Sequence, residues 1–348
     1  MKKSNFLSNR IIREDMDDIY ARYNFWERLN NKTVMVTGSY GMLASYFVYF
    51  LIYLNEVKGL NIKIISLSRN EDKFYKRFGV YAEREYLTNL TDDINKPFNI
   101  ACEIDFIIHA ASLADLQDCS TNPIGVALPN VLGTYNLLEL ANEKNVESFL
   151  FFSSIAIYGE TSKNIVSEKD YGVIDPLDIF SSYSESKKMG ETLLNCYLNQ
   201  YCIPVKIVRF FCGIGPTLDL EHGNNALCDF CRNALNGQNI EIKSEGLAKR
   251  SYCYIADTTA AEFKVLLDGN NEAYNVCNTD EFISIRELAE LIANIVDCNV
   301  ISTHYDEKHI EPPRYSNYNN SKLRKLGWEC KYSIENGFRR IIQSHLEK

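Results

Sequence analysis

The sequence predicts an α/β fold in which helices cover both faces of a doubly wound parallel sheet. Short apolar, β-branched runs alternate with longer segments of helical pattern from residue 33 onward. Strands buried on both faces are near-continuous apolar runs, whereas half-exposed strands alternate polar and apolar residues. A glycine-containing turn also follows the first run directly, and such sheets bind ligands at the carboxyl ends of their strands.

Five runs are predicted as strands, and the segments between and after them as helices. The predicted strands are residues 33–37, 62–67, 106–109, 149–152 and 205–210. The predicted helices are residues 42 to about 57, 131–142, 183–201 and 226–235. This alternation is typical of βαβ units, in which each helix connects two parallel strands.

The turn after the first predicted strand has the glycine spacing of a dinucleotide-binding loop. Residues 34–44 read Val-Met-Val-Thr-Gly-Ser-Tyr-Gly-Met-Leu-Ala. The first glycine permits the turn, the second lets the backbone approach a pyrophosphate, and the free N–H groups at the helix N-terminus bind the phosphates. The same spacing occurs in ordinary turns, but its position after the first strand favours a Rossmann-type cofactor site. The predicted site contains Gly38, Tyr40, Gly41, Met42 and Leu43.

The end of the second predicted strand bears on the identity of the cofactor. NAD-binding folds usually place an acidic residue there, which holds the ribose 2′-hydroxyl. This sequence has Ser68 and Arg69 instead, and a guanidinium is a suitable partner for a 2′-phosphate. The cofactor is therefore predicted to be NAD or NADP, with a slight preference for NADP. The alternative is that Arg69 is a solvated loop residue.

The chain of 348 residues is longer than one core usually supports. We predict an N-terminal helical extension over residues 1–30, a mainly dinucleotide-binding domain over 31–212, and a smaller, mainly substrate-binding lobe over 213–348 with segments that return to the sheet. Residues 1–30 carry apolar positions at helical spacing, which indicates a helix that docks on the main body or on a second subunit. These positions are Ile11, Ile12, Met16, Ile19, Tyr20, Tyr23 and Trp26.

Composition excludes several functional classes. The formal net charge of −9 argues against a nucleic-acid surface, which needs clustered Lys and Arg. The most apolar run, residues 47–54, is too short to cross a bilayer, and no signal-peptide pattern opens the chain, so we expect a cytoplasmic protein without a membrane partner. Cys228 and Cys231 form a CxxC without a second pair, so we predict a core helix there and no metal.

Two further motifs carry chemistry. Tyr183 and Lys187 are four residues apart and share one face of a helix. The ammonium and the positive nicotinamide ring both favour the phenolate, and so bring a tyrosine with an ordinary pKa of about 10 toward the neutral range. Ser154 follows a predicted strand, where its hydroxyl can bind the same substrate oxygen. A Tyr–Lys pair alone is usually just helix surface, but these motifs in this order predict nicotinamide-dependent redox chemistry.

These motifs resemble the extended short-chain dehydrogenases/reductases of the NAD-dependent epimerase/dehydratase family, which modify nucleotide-diphosphate (NDP) sugars. The similarity covers roughly residues 31–342 and includes segments 105–111, 130–134, 209–216, 250–257 and 321–328. The resemblance implies a catalytic set and a homodimer that involves helix 183–201, although the apolar face of this helix is equally consistent with intramolecular core. The implied catalytic residues are Ser154, Tyr183 and Lys187.

The same resemblance implies ligand contacts elsewhere in the chain. Ala110 and Ala111 would lie at the cofactor, together with Tyr183 and Lys187. Arg250 would grip the substrate diphosphate, a role that suits a bidentate guanidinium. Arg314 and Asn224 are further candidates for the substrate, although a surface role for Arg314 is equally consistent with the sequence.

Two departures from the family pattern narrow the reaction. In members that eliminate water, the catalytic hydroxyl is followed by Asp and Glu, and the decarboxylases usually keep the Glu. Here Ile155 and Ala156 stand at these positions, and neither transfers a proton. Cys212 stands where the family commonly has Asn, and cysteine is a weak donor and acceptor. The corner that holds the sugar must therefore differ.

The first hypothesis is an NDP-sugar 4-epimerase, in which a hydride leaves a sugar carbon and returns to its other face. The second is an NDP-sugar dehydrogenase or ketoreductase with net redox turnover. A decarboxylase or a 4,6-dehydratase ranks below both because of Ile155 and Ala156. A non-enzymatic scaffold is disfavoured, since Ser154, Tyr183 and Lys187 are all present.

Overall fold

The secondary structure follows from a computed structural model, which describes residues 5–221, 223, 225–302 and 317–347. The strands are β1 (Thr33–Thr37), β2 (Lys63–Ser68), β3 (Leu87–Thr91), β4 (Phe106–His109), β5 (Ser148–Ser154), β6 (Ile165–Val166), β7 (Val205–Phe210), β8 (Gly213–Ile214), β9 (Ile240–Ile242), β10 (Lys249–Arg250), β11 (Cys253–Tyr254), β12 (Ala273–Val276), β13 (Ile283–Ser284), β14 (Val300–Ser302) and β15 (Asn317–Tyr318). The helices are α1 (Arg10–Ala21), α2 (Met42–Lys58), α3 (Glu71–Phe78), α4 (Leu116–Thr121), α5 (Pro123–Leu128), α6 (Thr134–Lys144), α7 (Ser181–Tyr201), α8 (Ala226–Leu235), α9 (Ile255–Asp268), α10 (Ile285–Val296), α11 (Ser321–Lys325) and α12 (Ile334–Leu346).

Seven of these strands form one parallel sheet in the order β12-β7-β5-β4-β1-β2-β3. Every residue of β1, β4 and β7 is buried, because helices cover both faces of the sheet. The prediction of a doubly wound parallel sheet is confirmed. The strand order reverses between β1 and β4, and this switch point is where such sheets bind ligands.

The elements differ from the predicted ones mainly at the edge of the sheet. Strand β3 was not predicted, because its sequence, Leu-Thr-Asn-Leu-Thr, is polar. It pairs on one side only, with β2, and is mostly exposed or half-buried. The helix predicted over 131–142 begins at Thr134, since Pro129–Gly133 forms a wider π-helical turn before it.

The N-terminal helix α1 packs on the main body of its own chain, against α9 and α12. Asp15 on α1 is fully buried and accepts hydrogen bonds from Tyr254 (2.7 Å), Arg340 (2.6 Å) and Tyr46. Burial raises the pKa of this carboxyl to about 6, although the arginine and the hydroxyls oppose the rise. Arg22 pairs with buried Asp257 at 2.7 Å. Of the two docking partners predicted for residues 1–30, the structure therefore selects the main body.

The segments after β7 form small pairs of strands beside the sheet. β8 pairs with β11, β9 with β14, and β10 with β13, whereas β12 joins the central sheet next to β7. The domain boundaries near residues 30 and 212 remain a prediction. Within the described part of the chain, no helix combines the length and apolar character needed to cross a membrane.

Glu262 of α9 provides a test of this packing. It is fully buried, and neither carboxyl oxygen has a hydrogen-bond partner among the described residues. Burial raises its pKa well above the ordinary value of 4.5. The neutral acid therefore contributes its full stability when pH is below the pKa that Glu262 has in the unfolded chain. This contribution is lost as pH rises through the pKa that Glu262 has in the folded protein. We expect Glu262→Gln to raise the free energy of unfolding over that of the native protein, increasingly as pH rises from about 5 toward neutrality.

Urea unfolding of the two proteins across this pH range measures the difference. Glu290→Gln, at an exposed position on α10, should show a difference that does not change with pH. An equally flat difference for Glu262→Gln would contradict the assignment of a buried neutral acid.

Candidate active site

The glycine-rich loop, residues 38–41, joins β1 to α2 at the switch point of the sheet. Gly38 has a φ of +63°, and a Cβ placed on it would lie 2.7 Å from the Cα of Ala111. The N–H of Gly41 donates to the carbonyl of Gly38 at 2.9 Å and closes the turn. The N–H groups in the first turn of α2 have no acceptor within the helix. The loop therefore has the geometry of an anion-binding turn.

A groove that is open to solvent lies beside this loop. It is lined by the predicted residues Gly38, Tyr40, Gly41, Ser68, Arg69, Ala110 and Ala111, and also by Leu67, Asp92, Asp93, Ile94, Asn95, Ser112, Leu113 and Pro129. The Oδ1 atom of Asn95 is buried without a hydrogen-bond partner among the described residues, so a donor from a ligand would satisfy it. The groove lies at the switch point of the sheet, where the predicted dinucleotide would bind.

Sequence reasoning missed the wall of the groove formed by residues 92–95. These residues follow β3, the polar edge strand whose pattern predicted no element. The signal that could have found them is Asp92-Asp93, an acidic pair one strand beyond Ser68 and Arg69.

A buried threonine–histidine pair fixes the two strands that flank the switch point. The hydroxyl of Thr37 lies 3.0 Å from Nδ1 of His109 and accepts the backbone N–H groups of Ala110 (3.2 Å) and Ala111 (3.1 Å). Nε2 of the histidine lies 3.2 Å from the carbonyl of Pro129. Burial and the nearby Lys187 lower the pKa of His109 to about 3. The imidazole is thus neutral, donates through Nε2 and accepts from the hydroxyl through Nδ1.

Strand β5 and helix α7 bring the three predicted catalytic residues together. Ser154 ends β5, and its Oγ accepts the N–H of Ala156 at 3.1 Å and also hydrogen-bonds the side chain of Tyr183. Nζ of Lys187 lies 5.9 Å from the centre of the tyrosine ring and donates to the carbonyl of Phe152 at 2.6 Å. A hydroxyl pair next to a buried amine can exchange a proton with a substrate hydroxyl.

Burial dominates the ionisation of this set. It lowers the pKa of Lys187 to about 7, against the opposing effect of the Glu191 carboxylate. It raises the pKa of Tyr183 above 10, against the hydrogen bond from Ser154. The protein's own groups therefore do not produce the lowered tyrosine pKa that we predicted. Of the two predicted causes, the positive ring of the cofactor is the one that remains.

Glu191 and Arg209 form a buried ion pair one helical turn from Lys187, and the sequence reasoning did not assign it. Glu191 lies one helical turn beyond Lys187, accepts from the hydroxyl of Ser153 at 2.6 Å and pairs with Arg209 at 2.6 Å. The arginine side chain is 3% exposed and also donates to the Tyr158 hydroxyl at 2.8 Å. The sequence signal that could have identified Glu191 is its spacing of four residues from Lys187. The pair joins α7 to the ends of β5 and β7, and so positions the catalytic set.

The remaining predicted residues lie away from the groove or outside the described residues. Met42 and Leu43 form the first turn of α2, where a Cβ on Gly213 would lie 2.9 Å from Leu43. Arg250 is half-buried on β10 and does not line the groove. Asn224 and Arg314 lie outside the described residues.

The cysteines give one cluster of possible ligands beyond the CxxC. Cys228 and Cys231 are buried in α8, as predicted for a core helix. The side chains of Cys253, Asp257 and Cys330 offer ligand atoms within 4.8 Å of one another. The carboxylate of Asp257 is already engaged, since it pairs with Arg22 at 2.7 Å and accepts two backbone N–H groups, those of residues 331 and 332.

The close approach of Gly38 to Ala111 can be tested with a matched pair of glycines. Gly237 has a similar φ of +66°, but a Cβ there would meet nothing within 4 Å. We expect Gly237→Ala to cost about 1 kcal/mol through its backbone conformation alone. Gly38→Ala should cost clearly more and should also abolish NADH binding, because the added methyl pushes the loop away from Ala111. Chemical unfolding and NADH fluorescence titration measure the two effects. Equal costs with NADH binding retained would contradict the role of this contact.

Comparison with known proteins places these features in a family. The sequence profile of the NAD dependent epimerase/dehydratase family matches residues 34–277. UDP-glucuronic acid decarboxylase 6 of Arabidopsis thaliana is 28% identical over 88% of this chain and 87% of its own length. UDP-glucuronic acid decarboxylase 1 of Xenopus tropicalis is 24% identical over 93% of this chain and 74% of its own.

Solved structures share the fold at low sequence identity. An epimerase from Methanothermobacter thermautotrophicus superposes with a TM-score of 0.78 at 23% identity, covering 96% of this chain and 95% of that one. UDP-glucose 4-epimerase from Thermotoga maritima superposes with a TM-score of 0.75 at 21% identity, covering 90% and 99%. The family profile covers the central sheet, the glycine-rich loop and the predicted catalytic residues, and it confirms the predicted nicotinamide-dependent enzyme. The chain belongs to the NAD dependent epimerase/dehydratase family.

Proposed function

We propose that the protein is an NDP-sugar 4-epimerase. The observation that carries the proposal is the set Ser154, Tyr183 and Lys187, which β5 and α7 bring together. The two residues that follow Ser154 in sequence have no ionisable group. Ile155 is buried and Ala156 is half-buried in a turn of 3-10 helix. A reaction that needs one proton shuttle and a hydride fits these residues. Elimination of water needs an additional acid and base.

In the proposed reaction Tyr183 takes the proton of the sugar hydroxyl and later returns it to the reduced oxygen. The hydroxyl of Ser154 hydrogen-bonds the same oxygen and shares its developing charge. Lys187 donates to the carbonyl of Phe152 and so holds α7, with Tyr183, against the end of β5 that carries Ser154. When bound, the nicotinamide supplies the acceptor and then the donor of the hydride. Rotation of the oxidised sugar between the two steps inverts the carbon, so Tyr183 must reach the oxygen in both orientations.

A second candidate is a UDP-glucuronic acid decarboxylase, because relatives with this name cover most of the chain. Decarboxylation uses the same oxidation step and then loses CO₂. The Ala156 position argues against it, since a carboxylate is usual there in the decarboxylases. An NDP-sugar dehydrogenase or ketoreductase would use the same three residues with net turnover of the cofactor.

The family uses a nicotinamide cofactor, and we propose that this protein prefers NADP to NAD. Arg69 lines the groove beside Ser68 and is exposed. Its guanidinium suits a 2′-phosphate, and the repulsion that an acidic residue would exert there is absent. A cytoplasmic location is also proposed, because eleven free cysteines suit a reducing compartment.

The reaction is tested by incubating the protein with UDP-glucose, UDP-N-acetylglucosamine or UDP-glucuronic acid and analysing the products by NMR. We expect the 4-epimer of at least one substrate without net formation of reduced cofactor. Tyr183→Phe should lower turnover about a hundredfold or more while NADH binding persists. Tyr171→Phe, at a tyrosine that is 72% exposed, should leave turnover unchanged.

Other products would contradict the proposal in distinct ways. Release of CO₂ from UDP-glucuronic acid would identify the decarboxylase instead, and accumulation of reduced cofactor would identify a net dehydrogenase. Full activity of Tyr183→Phe would exclude this tyrosine as the proton shuttle. Mass spectrometry of the cofactor retained by the purified protein decides between NAD and NADP, and bound NAD alone would contradict the preference assigned to Arg69.

We further propose that two copies associate through a helical face beside α7. The large apolar side chains on this face are about half-exposed: Leu132 (41%), Tyr135 (45%), Met189 (47%) and Tyr201 (46%). They lie on the π-helical turn, α6 and α7, which contact one another along the chain's own surface. An apolar face on two adjacent helices suits a twofold dimer.

The dimer is tested by sedimentation velocity at micromolar concentration. We expect a dimer for the native protein and a monomer for Met189→Glu, since the substitution buries charge at the proposed interface. Leu177→Glu changes another exposed apolar residue, 93% exposed and outside this face, and should remain dimeric. A native monomer, or dissociation caused by Leu177→Glu alone, would contradict the proposed surface.

A further inference from the structure

Arg77, near the end of α3, contacts two loops that are distant in sequence. Its Nε donates to the carbonyl of Tyr40 in the glycine-rich loop, and its Nη2 donates to the carbonyl of Thr217, both at 3.2 Å. The second loop follows β8 in the part of the chain predicted to bind substrate. One guanidinium therefore joins the cofactor loop to the substrate side of the molecule.

Two further hydrogen bonds close this link into a ring. The hydroxyl of Thr217, which is 2% exposed, donates to the carbonyl of Met42 at 3.0 Å. The hydroxyl of Tyr49, buried in α2, donates to the backbone carbonyl of Arg77 at 3.0 Å. The ring runs from the start of α2 through the loop at residue 217, then through α3, and back to α2. Each member is thus held by two others.

The peptide unit between Tyr40 and Gly41 in the glycine-rich loop is held at both ends. The carbonyl of Tyr40 accepts from Arg77, while the N–H of Gly41 in the same peptide donates to the carbonyl of Gly38. Rotation of this peptide breaks a charge-assisted hydrogen bond, which is stronger than a neutral one. The loop is therefore preorganised, and it cannot swing open without separating from the segment around Thr217.

We propose that Arg77 is a positioning residue that slows release of the nicotinamide cofactor by locking residues 38–41 to the loop at residue 217. The inference rests on the proposed function, in which the cofactor stays bound while the hydride leaves and returns. The alternative is a structural role, in which Arg77 only anchors α3. Preorganisation changes the rate of ligand release, whereas anchoring changes the stability of the fold.

The rate of NADH and NADPH release separates these roles. Each variant is loaded with one reduced cofactor and chased with excess ADP-ribose while the fluorescence of the bound nicotinamide is followed. We expect release from Arg77→Gln to be about tenfold faster, as for one lost charge-assisted hydrogen bond. Arg77→Lys should be intermediate, because an ammonium reaches one carbonyl at a time. Thr217→Val, which removes the bond to Met42, should also release faster.

Lys76→Gln is the matched control. Lys76 pairs with Glu221 at 2.6 Å, so it also links α3 to the segment after β8, but both side chains are exposed. Release from this variant should equal that of the native protein. Amide hydrogen exchange of residues 38–43, measured without cofactor, should be faster in Arg77→Gln and unchanged in Lys76→Gln.

The outcomes separate this inference from the proposed function. If the native protein binds neither NADH nor NADPH, the proposed cofactor groove fails. If it binds them and Arg77→Gln and Thr217→Val release at the native rate, the inference is overturned and the groove stands. Faster release from Lys76→Gln to the same extent would also overturn it, because anchoring of α3 would then explain the effect.

Discussion

The close approach of β1 and β4 at the switch point is the constraint on which the site depends. Gly38 can lie against Ala111 only because it has no side chain, and the Thr37 hydroxyl holds the two N–H groups of residues 110 and 111 in place. Neutral His109 completes this contact without adding a charge. The two strand ends are thereby fixed at van der Waals distance. The groove lies along them, and residues of the glycine-rich loop line it.

The proposed catalytic set depends on a second constraint, the burial of charge between α7 and β5. Lys187 loses most of its hydration and keeps one short hydrogen bond, to the carbonyl of Phe152. One turn further on, Glu191 and Arg209 neutralise each other, with Ser153 as an additional donor. A buried pair of this kind costs several kcal/mol when one partner is removed. The helix is therefore fixed relative to the strand end that carries Ser154, and the tyrosine hydroxyl is aligned with it.

Local patterns predicted much of the fold and the centre of the site. Apolar runs identified the strands buried on both faces, and the spacings in the glycine-rich loop and in Tyr183–Lys187 identified chemistry that lies within one loop or one helical turn. Strand β3 was missed because an edge strand needs no apolar run, and the groove wall after it was missed with it. The pair Glu191–Arg209 and the contacts of Arg77 join distant segments, the latter through backbone carbonyls, which carry no side-chain signal. The raised pKa of Tyr183 depends on burial in the assembled protein, so spacing could not predict it.

The difference between the named relatives and the proposed reaction has a physical explanation. An identity of 28% over most of the chain accompanies a shared family, and a shared fold does not by itself decide the reaction. The step after oxidation depends on few positions, because it needs an acid or base at one further atom of the sugar. Ile155 and Ala156 remove ionisable groups from the turn that follows Ser154, and Cys212 weakens hydrogen bonding in the corner after β7. By the resemblance to the family, these are positions at which the proposed reactions differ, so they bear on the choice of reaction more directly than identity summed along the chain.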